Sequence, residues 1–232
     1  MSGIFYGVGV GPGDPELLTL KAIQIIKQAD VIIAPKTEKK EGSVALSIAS
    51  PYLKPDVEIM TQVFPMVSDT EILTEAWESN KSSILELLEE GKKVVFLTLG
   101  DPMFYSTYIY VFRLLEHSGY PIETIPGVTA FCAIGSKLGY PLVEGNNILS
   151  IIPATIEEEK LEQALNMSDN VVLMKVYKNY NEIVEKLNRH NLADKAVMIS
   201  RCGLPDEEVV RELSCTDDKK INYLSTILSR RS

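Results

Sequence analysis

Histidine and cysteine are scarce in this chain of 232 residues, with two of the first and three of the second. His117 and His190 both fall within helical patterns. Cys132, Cys202 and Cys215 form no Cys-x-x-Cys pair. A structural zinc needs about four such ligands at close spacing, so no metal site is expected. The same scarcity counts against a Ser-His-Asp triad. An odd number of cysteines argues against a disulfide framework and for a reducing, cytoplasmic setting. No apolar run approaches the roughly 18 residues of a membrane span. The opening MSGIFYGVGVGPGD lacks the basic region and cleavage site of a secretory signal and reads as a first strand. Positive charge is also short: 23 Lys and Arg stand against 32 Asp and Glu, a net of −9. Both halves are acidic on balance, which disfavours nucleic acid and anionic lipid as partners.

What is present is the composition of an ordinary folded protein, 45% apolar and 24% charged. Short apolar runs alternate with helical patterns. Strands are expected at Ile4–Val10, Val31–Ala34, Val57–Met60, Val94–Leu97 and Ile122–Ile125. Between them the pattern predicts a helix opened by Asp14 as N-cap with Pro15 at its first position, and a short helix over Ser43–Ser50. A long helix starts at a Ser68-x-x-Glu71 capping box and is stopped by Gly91, and another covers about Ser106–Ser118. This alternation predicts a parallel sheet with helices on both faces. After Gly127 come helices at Thr129–Leu138, Glu157–Leu165 and Tyr180–His190, and strands at Leu149–Ile152, Val171–Lys175 and Ala196–Ser200. Val209–Leu213 and Tyr223–Leu228 follow with no helix between them, which suggests a hairpin and a mixed sheet. The expected organisation is two α/β domains, 1–120 and 121–232, joined near Gly119–Pro121.

Three loops invite a ligand. In Gly7–Asp14 neither register completes Gly-x-Gly-x-x-Gly, because Pro12 or Asp14 stands at the third glycine position. Asp14 at a helix start also disfavours phosphate there. The Gly91-Lys92 pair is followed by Lys93 rather than Ser or Thr, so no phosphate-binding loop of the Gly-Lys-Ser/Thr type exists. The first loop thus allows close backbone approach, either to a ligand with little phosphate or to nothing but its own turn. The second loop, Gly100–Thr107, follows a strand end, where open α/β sheets bind ligands. There Asp101 offers a carboxylate or a turn, and Phe104 and Tyr105 are expected in the core ahead of a ligand surface. The third is Pro126–Ala130, where Thr129 is expected to cap a helix and Ala130 leaves room.

These words in this order resemble the tetrapyrrole methylase family. The matching stretches are Gly7–Leu20 (GVGVGPGDPELLTL), Leu99–Ser106 (LGDPMFYS) and Ile125–Ala130 (IPGVTA), with Val172–Lys175 and Ser200–Gly203 in support. Within the family, Gly100–Tyr108 with Ile125–Cys132 look most like the precorrin-2 C(20)-methyltransferases of cobalamin synthesis. The resemblance spans the whole chain. It implies two α/β domains with cofactor and substrate in the cleft between them, a homodimer, and S-adenosylmethionine as cofactor. It implies cofactor contacts at Pro12, Leu99, Gly100, Asp101, Phe104, Thr129, Ala130, Met174 and Cys202, and the expectation extends to Ser225 and Thr226. Unaided, the residues read Met174 as a core position and Cys202 as a loop position.

The implied substrate is an anionic tetrapyrrole with several carboxylates, so an acidic protein must gather local cations for it. Arg201, Arg113, Lys36 and Lys175 are the candidates, each of which also reads as an ordinary surface charge. Arg201, beside a cofactor position, leads them. No general base is named by the sequence. The alternatives are a sister methylase acting at another ring position, one acting on ribosomal RNA, which the acidic balance disfavours, a non-catalytic nucleotide-binding module, and a Rossmann oxidoreductase, against which Pro12 and Asp14 argue.

Overall fold

The computed structural model describes residues 2–36, 42–64, 70–214 and 220–231. They form two α/β units, Met1–Thr129 and Ala130–Ser232. The expected boundary at 120 is corrected by nine residues. The strand at Ile122–Ile125 pairs in parallel with the first strand, so it belongs to the N-terminal sheet.

In the first unit the strands are β1 (Ile4–Gly9), β2 (Val31–Lys36), β3 (Glu58–Val63), β4 (Lys93–Thr98) and β5 (Ile122–Ile125). All pair in parallel, in the order β3-β2-β4-β1-β5. Val31–Ala34 and Val94–Leu97 are fully buried, as strands covered on both faces must be. On one face Phe5, Phe96 and Tyr108 pack with Ile84, Leu87 and Leu88 of α3 (Thr70–Glu89) and Val111 and Leu115 of α4 (Tyr108–Leu115). The Tyr108 ring lies where a side chain on Gly7 would be, and its hydroxyl meets Thr124 Oγ1 at 2.6 Å. Glycine at position 7 is therefore what admits the tyrosine.

Helix ends mostly follow the sequence chemistry, as at α2 (Val44–Ala49), where Ser43 Oγ accepts the Leu46 N–H at 3.4 Å. Gly91, at φ 78, closes α3 with its own N–H to Leu88 O and that of Lys92 to Leu87 O, the paired bonds of a Schellman cap. Ser68 of the expected capping box lies outside the described residues, as does Cys215. One start is corrected. Asp14 caps only a single 3-10 turn, Pro15–Leu17, and α1 (Leu20–Gln28) begins later, with Thr19 Oγ1 accepting the Ala22 N–H at 3.1 Å. Leu20, the first residue of that helix, is 79% exposed.

The second unit has β6 (Leu149–Pro153), β7 (Asn170–Met174), β8 (Val197–Ser200), β9 (Glu208–Val210) and β10 (Ser225–Arg230). Their order is β6-β7-β10-β8-β9. Only β6 and β7 are parallel; β10 runs antiparallel to β7 and β8, and β9 antiparallel to β8. The sheet is mixed, as expected, but β9 and β10 do not form the expected hairpin. β8 lies between them and pairs with both, so the return from β9 carries β10 over to the far side of β8. Helices α6 (Glu158–Met167) and α7 (Tyr180–Arg189) cover the sheet through Leu161, Leu165, Ile183, Val184 and Leu187. Lys186 is 1% exposed, and its ammonium is matched by Glu158, Glu162 and Glu182 at 2.7–3.2 Å.

Candidate functional site

In the first sheet, β1 sends its chain toward β2 on one side, while β4 sends its chain toward β5 on the other. Adjacent parallel strands whose connections leave in opposite directions open a crevice at their carboxyl ends. That crevice lies above β1 and β4, flanked by the loop after β5. The three loops singled out on the sequence are these three.

The loops are tied to one another by backbone. Gly11 and Gly100, at φ 76 and 73, form a two-way bridge, Gly100 N to Gly11 O at 2.8 Å and Gly11 N to Gly100 O at 3.3 Å. Gly127 lies against both Gly9 and Gly100: a Cβ there would stand 2.1 Å from Gly100 O and 2.8 Å from Gly9 Cα. Asp101 fastens the third loop to the second. Its Oδ2 accepts the Gly127 N–H at 3.0 Å and its Oδ1 the Met103 N–H at 2.9 Å. The turn role of Asp101 is thus present, and each oxygen retains acceptor capacity for a ligand donor. Pro12 is buried at the tip of the first loop, and Leu99 and Gly100 are half-buried.

Two expectations are corrected here. Phe104 is half-buried and Tyr105, at φ 47, is 48% exposed, with ring centroids 4.7 Å apart. They are not core residues, because the turn from Asp101 holds them above the sheet edge and the core position is taken by Tyr108. Nor does Thr129 cap α5 (Ala130–Leu138): its Oγ1 is buried without a hydrogen-bond partner among the described residues. Thr98 Oγ1, at the end of β4, is in the same state. A buried hydroxyl left unpaired costs free energy, and a polar ligand atom would satisfy it. A narrow cradle of glycine backbone with unpaired hydroxyls, and with Asp14 already bonded to the Glu16 N–H at 2.9 Å, suits an uncharged or cationic polar group better than pyrophosphate.

In the second unit the strand register gathers residues far apart in sequence. Met174 faces Thr226 across β7 and β10, and Ser200 faces Ser225 across β8 and β10. The Ser200 and Ser225 hydroxyls meet at 2.6 Å. Cys202, Ser225 and Thr226 are at least nine-tenths buried. Burial, with Glu207 as the next cause, pushes the Cys202 thiol up to about 11. Glu207 itself takes the Gly203 N–H and the Lys137 ammonium. Met174, Cys202, Ser225 and Thr226 therefore share one end of this sheet, and Lys175 and Arg201 stand just beyond it.

The remaining cations separate. Lys36 ends β2 at the loop edge of the first sheet. Arg113 is exposed in the last turn of α4, which runs back from that edge, so the structure does not bring it to the loops. Sequence reading missed Thr98, the meeting of Gly9 with Gly127, and the pair Tyr177–Tyr223, whose ring centroids are 5.1 Å apart. None carries a local signal, since each depends on a contact across dozens of residues. Among the described residues no cluster of His, Cys, Asp and Glu could hold a metal, and no helix is long and apolar enough to cross a membrane.

Comparison with known proteins bears on these geometries. The model of the tetrapyrrole (corrin/porphyrin) methylases matches residues 5–214. The cobalt-precorrin-2 C(20)-methyltransferase of Salmonella typhimurium is 38% identical, over 98% of this chain and 96% of its own. A probable enzyme of the same name from Methanocaldococcus jannaschii is 36% identical, over 97% and 95%. Among solved structures, a cobalt precorrin-4 methyltransferase superposes with a TM-score of 0.77 at 24% identity, covering 98% of this chain and 94% of that one. The uroporphyrin-III C-methyltransferase of Thermus thermophilus, solved with S-adenosylhomocysteine, gives 0.70 at 22% identity, covering 97% and 96%. The fold is theirs, and by the match over most of its length the chain belongs to the tetrapyrrole methylase family.

Proposed function

We propose that this protein transfers a methyl group from S-adenosylmethionine to carbon 20 of precorrin-2 or its cobalt form, in cobalamin synthesis. The near full-length likeness to the Salmonella enzyme carries this reading. The loop chemistry supports it, because glycine backbone and unpaired hydroxyls suit a donor without phosphate.

When bound, the donor supplies a sulfonium methyl whose departure leaves a neutral thioether. Little charge then needs stabilising on the leaving side, and the protein's work is to position the reacting groups and exclude water. In the first unit Pro12, Leu99, Gly100, Asp101, Phe104 and Thr129 hold the cofactor. Asp101 does so mainly by clamping the loops after β4 and β5 together. In the second unit Ala130, Met174, Cys202, Ser225 and Thr226 contribute; Cys202 stays a neutral thiol at neutral pH, so it adds no charge beside the sulfonium. The carbon attacked must afterwards lose a proton. We assign no side chain to that step, since neither histidine lies among these residues. The protein works in the cytoplasm as a homodimer.

The test is incubation with isotope-labelled donor and metal-free or cobalt-loaded precorrin-2, with the new methyl located by NMR. A methyl on carbon 20 is expected. Methylation at another carbon would make it a sister enzyme, and no transfer would refute the reading. Thr129→Val, nearly isosteric, should weaken S-adenosylhomocysteine binding about fivefold or more without lowering stability, because the lost hydroxyl has no partner among the described residues.

A further inference from the structure

Two successive arginines at the end of β10 are used in opposite ways. Arg231 serves the fold. Its guanidinium donates to Leu165 O and His190 O at 2.8 Å, to Ser168 O at 3.0 Å and to Asn166 O at 3.4 Å, which closes the carboxyl ends of α6 and α7. Arg230 points to the other face of the sheet, as alternation along a strand requires. Its side chain makes no hydrogen bond or ion pair among the described residues, and its Nε is buried. Opposite it stands Asn170, the first residue of β7 and 5% exposed, whose Nδ2 is likewise buried without a partner.

The register brings these two donors together. The Arg231 N–H bonds Asp169 O at 2.8 Å, so Arg230 and Asn170 form the non-hydrogen-bonded kind of antiparallel pair. Such pairs have Cα atoms about 4.5 Å apart and side chains on one face. The adjacent carboxylate, Asp169, is engaged elsewhere, accepting the Ile148 N–H at 2.8 Å. The guanidinium carbon of Arg230 lies 5.3 Å from the centroid of the Tyr140 ring, and that ring is anchored by its hydroxyl, which donates to Lys195 O at 2.7 Å. Burial pushes the Tyr140 hydroxyl up to about 12 against the opposing pull of Arg230, so it supplies no phenolate to the cation.

Two buried N–H donors without acceptors cost free energy, and one shared acceptor would satisfy both. A singly charged, partly desolvated guanidinium favours a single negative charge, since a dianion would carry an uncompensated charge into the same place. The guanidinium fork fits two oxygens on one carbon. We propose that the Arg230–Asn170 pair is a binding site for a small monovalent oxyanion of the carboxylate class, such as formate or acetate. One oxygen accepts from Arg230 Nε and Asn170 Nδ2, the other from a terminal nitrogen of the same guanidinium, beside the Tyr140 ring. The site lies at the opposite end of β7 and β10 from Met174 and Thr226, about 13 Å away at the usual rise over four residues. It stands whatever reaction the protein performs.

Formate is the probe, with chloride at equal ionic strength and pH as the salt control and sulfate as the dianion. Its three heavy atoms limit it to roughly millimolar affinity. At about 100 mM, formate should raise the melting midpoint about 3 °C or more above chloride. In isotope-labelled protein the Arg230 Nε–H and Asn170 Nδ2–H resonances should shift with the same dose dependence, and less with sulfate. Asn170→Asp puts a carboxylate opposite Arg230 within the chain, so it should fold at least as stably and bind formate at least about tenfold more weakly. Arg230→Met keeps the stem over Tyr140 and should lose the response too. Equal responses to formate and chloride, tighter binding of sulfate, or a formate response that survives in Asn170→Asp would overturn the proposal. No response in the wild type would mean that the Asn170 carbonyl oxygen already serves Arg230, and would overturn it equally.

Discussion

Replacing Gly127 with alanine tests whether the loops above the first sheet are held by backbone contact. The added Cβ would meet Gly100 O at 2.1 Å and Gly9 Cα at 2.8 Å, both backbone atoms that no rotamer change can move aside. A tolerable contact needs more than about 3.4 Å, so one loop must shift by an ångström or more. That motion works against the Gly11–Gly100 bridge and the Gly127 to Asp101 bond. Two neutral hydrogen bonds at about 1 kcal/mol each and one to a carboxylate at about 2 set an upper bound near 4 kcal/mol. Overpacking usually costs about 1–3 kcal/mol after relaxation, and we expect roughly 3 here. The first unit should then melt about 6–12 °C lower, with S-adenosylhomocysteine affinity reduced at least tenfold. Gly119→Ala is the contrast. Gly119 sits at φ 84 with nothing within 4 Å of a Cβ, so it costs about 1 kcal/mol of backbone strain and leaves cofactor binding alone. Urea unfolding and calorimetric titration of both variants decide the matter. If Gly127→Ala loses less than about 0.5 kcal/mol and binds normally, the cradle is not what organises the site.

Two further expectations concern ionisation in the second unit. Glu162 is held below the ordinary carboxylate range, first by its hydrogen bond with His190, against the opposing effect of burial, and then by Lys186. A lowered folded value means stability that is present above about pH 4.5 and lost as pH falls through that lower value. Urea midpoints for this unit should therefore drop below pH 4.5. Glu162→Gln should flatten that drop and cost roughly 1–3 kcal/mol at pH 7, because the buried Lys186 loses one of three carboxylates; an unchanged pH profile would refute the assignment. For the cysteines, iodoacetamide at pH 8 should label exposed Cys132 well ahead of Cys202, of which about one molecule in a thousand is thiolate. Equal rates by peptide mass spectrometry would contradict the buried environment.

Much of the fold was legible because its signals are local. Buried parallel strands need unbroken apolar runs, and Val31–Ala34 and Val94–Leu97 supply them. Gly91 marks a helix end because its backbone must turn left-handed. The order of β10 was not legible, since two successive strands read alike whether they pair or straddle a third. The domain boundary failed for the same reason: Ile122–Ile125 does not say on which side of the joint its partner lies.

By itself the sequence determined the alternation of elements, the failure of the Gly-x-Gly-x-x-Gly pattern at Pro12 and Asp14, and the three loops that bear the family's motifs. Each follows from residues adjacent in the chain. Only the tertiary structure decided that Gly127 packs on Gly9 and Gly100, that the Thr129 hydroxyl finds no partner among the described residues instead of capping a helix, and that Lys175 and Arg201 stand on either side of β10. Those relations depend on strand order and on close approach between distant segments. A chain encodes them in the summed fit of its core and in no single motif.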